Sequence, residues 1–192
     1  AFASSSLGAS RISGSIAVRE VAIALLGRAG GSALAGWLIA TLASQEIFAL
    51  IFASLTLLGV VLSVSGLKLP ASAPMLIVAG FLSGLMATVT TIGGPPMALI
   101  YQHQPAAKAR ATMNAYFAIG VVPPLTALWF AGVLDHATLG RALVLLPAVA
   151  AGVALSHFAT RFIHRRYRTI LLVFCLAAAV IIATRALLRL MA

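Results

Sequence analysis

The chain has 192 residues, 62% of them hydrophobic and 8% charged, with a mean hydropathy of +1.11. About a quarter of an ordinary soluble domain is charged, so a water-soluble globular protein and a disordered chain are excluded, and the single Cys175 excludes an internally bridged scaffold. Thirteen Lys and Arg against three Asp and Glu give a net charge of +10, but the basic residues stand between apolar runs, as in loops facing anionic lipid, and form no stripe for nucleic acid.

Charge-free runs mark the predicted elements. Residues 29–45, 47–67, 111–134, 142–160 and 169–184 carry no formal charge, and each run is close to the length of a membrane-crossing helix. They do not alternate as barrel strands do. The pattern predicts a first helix at 1–12, then helices near 18–43, 47–66, 74–92, 95–104, 108–131, 138–160 and 167–190. Gly27 with Gly31, and Gly80 with Gly84, are spaced to let helix backbones approach in lipid. Pro123-Pro124 is expected to kink its helix.

The run from Leu69 to Ala107 is too long for one straight span. Its middle reads Thr90-Thr91-Ile92-Gly93-Gly94-Pro95-Pro96, which cannot continue an α-helix. A break at Gly93-Gly94 follows, with Pro95 opening a short second helix. Such a break exposes backbone N–H groups and the positive end of a helix dipole. The glycines allow close approach, and the Thr90 and Thr91 hydroxyls add donors, which suits an anion with several oxygens. A plain proline kink between two helices is the competing explanation.

An internal echo runs through the chain. Gly14 to about Leu62 and Gly132 to about Ile182 share a pattern, with Gly31-Ser-Ala-Leu-Ala-Gly-Trp set against Gly152-Val-Ala-Leu-Ser-His-Phe. Repeats of this kind place a substrate site between two halves. The expected fold class is therefore all-α, a polytopic transmembrane helix bundle. Residues 1–66 are the last part of a first repeat and 74–192 the second.

Ile92-Gly-Gly-Pro-Pro-Met-Ala-Leu-Ile-Tyr-Gln-His-Gln, followed by Arg110-Ala-Thr-Met-Asn-Ala-Tyr-Phe, resembles the second half of the sulfite exporter TauE/SafE family. The resemblance runs from about Gly14 to the C-terminus. It implies a multi-pass carrier of small anions, sulfite or organosulfonates, across the cytoplasmic membrane, with two halves that each bear a Gly-rich break. The family's break falls on Gly93, Gly94 and Pro95, and its downstream Thr on Thr112. The leading helices and glycine motif of the first half are missing here, so the first half is expected to be incomplete.

Other residues have two readings each. Arg28, inside a helix, either pairs with an anionic substrate or snorkels to the helix end. Thr112 and Asn114 either cap the helix after Lys108 and Arg110 or line a cavity. His103, His136 and His164 fall in loops, His157 lacks a second His at metal spacing, and Cys175 sits among apolar residues. No metal or cofactor is called for. The expected partners are a small anion, membrane lipid and, for a homo-oligomer, a second copy of the chain. The chain has no His-Glu-x-x-His, Gly-x-Ser-x-Gly or Walker lysine, and Glu20, Glu46 and Asp135 lie at predicted helix ends, so an enzyme is not expected. An anion channel or a structural membrane subunit is the alternative.

Orientation follows from the Arg161–Arg168 loop, whose four arginines should face the cytoplasm. Alternation of spans then puts Lys108 and Arg110 on that side, and the 66–73 and 132–137 turns on the other.

Overall fold

A computed structural model describes residues 16–42, 44–67, 69–135, 138, 140–145, 147–148, 151–152 and 167–191. The elements are α1 (Val18–Thr41), α2 (Gln45–Ser65), α3 (Ala73–Thr90), α4 (Gly94–Tyr101), α5 (Ala106–Gly120), α6 (Val122–Phe130) and α7 (Tyr167–Met191). Among the described residues there is no strand. Among the described residues, five stretches are long and apolar enough to cross a bilayer: Val18–Thr41, Gln45–Ser65, Ala73–Thr90, Ala106–Phe130 and Leu172–Arg189. The all-α transmembrane bundle read from the charge-free runs is what forms. The predicted helix at 1–12 and most of the one at 138–160 lie outside the described residues. So does nearly all of the Gly152–Phe158 half of the echo.

Local chemistry sets the helix ends. Ser44 accepts a hydrogen bond from the N–H of Ile47 and so caps α2, which stops at Gly66 in the left-handed region, φ 60°. Pro74 sits in the first turn of α3 and Pro95 in that of α4, where a missing N–H costs nothing.

The core of the bundle is the contact between α1 and α3. A Cβ at Gly27 would fall on the carbonyl of Ile77, and one at Gly31 on that of Phe81. Reciprocally, a Cβ at Gly80 would fall on the carbonyl of Ala24, and one at Gly84 on that of Arg28. In lipid no hydrophobic effect drives helices together, so this close backbone packing supplies the association. The contact numbers rise together along both helices, so α1 and α3 run parallel. α6 packs on α1 further along, where a Cβ at Gly36 would come within 2.9 Å of the Ala127 carbonyl. Outward-facing Leu26, Trp37, Phe130 and Phe174 are exposed, as lipid-facing side chains are.

α4 does not carry α3 onward across the membrane. It folds back beside α3 and returns to the face where α3 began. The Gly93 carbonyl accepts from Ser83 Oγ at 2.5 Å, Tyr101 donates to Glu20 in the first turn of α1, and Gln102 donates to the carbonyl of Leu67. The reversal has a local cause. Thr91 takes φ 62°, and Pro95 and Pro96 then cannot supply the N–H groups that would continue α3. This corrects the expected alternation: the 66–73 turn lies on the same face as Lys108, not the opposite one. That first face holds the starts of α1, α3 and α5 and the end of α2. α7 ends at the second face, where Arg185 and Arg189 share a cavity of about 270 Å³ with Gln45 and Glu46 at the start of α2. Its start, and Arg168 with it, is therefore at the first face.

Candidate functional site

Arg28 and Ser83 each lie ten residues into their parallel helices, about 15 Å from the first face at 1.5 Å per residue. Both are therefore near mid-membrane. Arg28 is 5% exposed and points into the bundle, not toward a helix end, so it does not snorkel. Its Nε donates to the Gly120 carbonyl at 2.5 Å, and its Nη1 to Ser83 Oγ at 2.7 Å and to the Tyr116 hydroxyl at 3.3 Å. The guanidinium carbon lies 5.1 Å from the Tyr116 ring centroid and 5.7 Å from that of Phe117, where the ring faces attract a cation.

Every one of these partners is neutral. Among the described residues the carboxylates are engaged elsewhere. Glu20 takes Lys108 Nζ at 3.0 Å and the Tyr101 hydroxyl at 2.6 Å, and Glu46 takes Ser44 Oγ at 2.9 Å. Asp135 takes the Thr138 N–H at 2.7 Å, and the Thr138 hydroxyl and N–H hold its carboxyl below the usual range. A buried charge normally carries a counter-charge; Arg28 has none here. Its Nη2 donates to no described residue.

Two helix breaks converge on this arginine. The first joins α5 to α6. Pro124 stands four residues after Gly120, so the Gly120 carbonyl loses its helical donor and is open to Arg28. Gly120 also leaves room for the guanidinium, since a Cβ there would come 2.9 Å from Arg28 Nε. The second is the α3–α4 reversal. Ser83 Oγ accepts from Arg28 and donates to Gly93, so one hydroxyl connects the guanidinium to the broken helix. The N–H groups of Gly93 and Gly94 donate to no acceptor among the described residues.

Of the site residues predicted from the sequence, the structure thus brings Arg28 and Gly93 together, with Gly94 and Pro95 directly following. Thr90 closes α3: its hydroxyl donates to the Met86 carbonyl and accepts from the N–H of Ile92. Thr91 forms the exposed tip of the reversal, its hydroxyl donating to the Thr90 carbonyl at 2.6 Å. Thr112 is fully buried and accepts from the N–H of Ala17 at 3.2 Å, nearer the first face, while Asn114 is exposed. Neither is hydrogen-bonded to Arg28. Ser83, Tyr116 and Gly120 were not singled out from the sequence. The readable signal was the Gly120-to-Pro124 spacing, which frees a carbonyl.

No curated protein and no solved structure matches the chain. The model of the family described as Sulfite exporter TauE/SafE matches residues 1–182. With five apolar stretches of spanning length among the described residues, this chain belongs to the TauE/SafE sulfite exporter family of membrane transporters.

Proposed function

We propose that this transporter carries small sulfur oxyanions, sulfite or organosulfonates, across the cytoplasmic membrane, and that the anion docks between Arg28 and the N–H groups of Gly93 and Gly94. The observation that carries the reading is the buried, fork-shaped guanidinium held at mid-membrane by neutral oxygens alone. A cation placed there without a carboxylate is costly, and an anionic cargo offsets that cost when it binds. The glycine N–H groups add donors without adding a fixed charge that would trap the cargo. Thr91 at the tip of the reversal is the hydroxyl nearest in sequence to those donors.

Flux into liposomes holding the purified protein tests this. Sulfite and methanesulfonate uptake should saturate with concentration and be lost in Arg28→Gln. Arg28→Lys should restore little, because an ammonium lacks the planar fork that reaches Ser83, Tyr116 and Gly120 at once. Flux that rises without saturation would indicate a channel. Unimpaired saturable flux in a folded Arg28→Gln protein would remove the arginine from the site.

A further inference from the structure

We infer that the Arg28–Gly93 site selects singly charged oxyanions and rejects doubly charged ones of similar shape. The inference rests on the anion site proposed above and adds the charge number of its cargo.

Arg28 is the one charged side chain that is buried among the described residues. Its surroundings are two hydroxyls, a backbone carbonyl and two aromatic rings, none of them charged. Glu20 and Lys108 cancel one another at the first face. Among the described residues the site thus carries one positive charge. A monoanion brings the occupied site to neutrality, whereas a dianion leaves an unpaired negative charge at mid-membrane.

The helix end does not supply the missing second charge. A full helix N-terminus counts for about half a unit charge, carried on its first free N–H groups. In α4 two of those positions are Pro95 and Pro96, which have no N–H. The oxygens already bound around Arg28, from Gly120, Ser83 and Tyr116, also direct negative partial charge into the site. The free donors, the Nη2 hydrogens and the N–H groups of Gly93 and Gly94, are enough for the three oxygens of a sulfonate head.

Calorimetry on the purified protein in nanodiscs at pH 7 tests this with methanesulfonate and sulfate, which share tetrahedral sulfur but differ in charge. The comparison uses the unaltered protein, so it does not depend on a variant that folds. Methanesulfonate should bind with a Kd lower by roughly tenfold or more. Sulfate binding as tightly as methanesulfonate overturns the inference and leaves the anion site standing. Binding of neither ligand overturns the site and the inference with it.

Discussion

Arg28 Nε donates to the carbonyl of Gly120 at 2.5 Å, and that carbonyl is open because Pro124 has no N–H to offer it. A proline pair that looks like a simple bend therefore has a second effect: it leaves an acceptor for a buried cation. Pro124→Ala should return the helical donor and straighten the α5–α6 joint. The protein should still fold, since Ala favours a helix. Methanesulfonate affinity should fall severalfold as the Gly120 carbonyl turns back into its own helix. Unchanged affinity with an intact thermal transition would show that Arg28 does not depend on this acceptor.

The two glycines of the reversal should behave differently. A Cβ at Gly93 would come within 2.7 Å of the Ser83 carbonyl and 2.9 Å of the Ala87 Cβ, whereas one at Gly94 meets only Phe117, at 4.0 Å. Gly93→Ala should cost about 1–3 kcal/mol of stability through overpacking. Gly94→Ala should leave the thermal midpoint near that of the parent, and Gly94→Val should weaken anion binding while the protein still reaches the membrane. A Gly94→Val protein that unfolds, or that binds methanesulfonate normally, would contradict the placement of the anion beside Gly94.

The spans were legible in the sequence because in lipid each one must satisfy its own backbone, which leaves an uninterrupted apolar run between charges. The close-packing faces of α1 and α3 were legible for a related reason, since Gly27 and Gly31, and Gly80 and Gly84, are spaced four apart; that the two faces meet one another is shown only by the carbonyls found against them. The direction of α4 was not legible. Two half-helices flanking Gly93-Gly94 read alike whether the chain continues or doubles back, and the deciding angle belongs to Thr91, a β-branched residue that seldom takes positive φ. Nor does the sequence bring together Arg28, Ser83 and Tyr116, which are far apart along the chain and meet only once α1, α3 and α5 lie side by side.

The reversal changes the orientation argument as well. Because α4 returns to the first face, Arg19, Lys108, Arg110 and Arg168 share it. Arg161, Arg165 and Arg166 immediately precede α7 in the sequence. Arg185 and Arg189 sit at the other face. The basic bias now favours a cytoplasmic first face. In a Cys175→Ala background, single cysteines at Ala71 and Gln104 should both resist a membrane-impermeant thiol reagent applied to intact cells, and one at Val133 should react. Labelling of Ala71→Cys together with protection of Gln104→Cys would show that the chain crosses between them and would refute the reversal.

Thr91 offers a test in which stability and binding part company. It holds φ 62° with an exposed side chain, and its hydroxyl is tied to the Thr90 carbonyl. An L-residue with a Cβ pays about 1–2 kcal/mol for the left-handed region, and strain of this kind persists where a site depends on it. Thr91→Gly removes that strain but adds freedom to the unfolded chain, a cost of about 0.4–1 kcal/mol. The thermal midpoint should therefore hold or rise slightly. With the hydroxyl gone, methanesulfonate affinity should fall roughly two- to tenfold, the worth of one neutral hydrogen bond. A lower midpoint would mean that Thr91 supports the reversal through contacts beyond its backbone angle. Unchanged affinity at an unchanged midpoint would leave Arg28 and the Gly93 and Gly94 amides as the whole of the anion site.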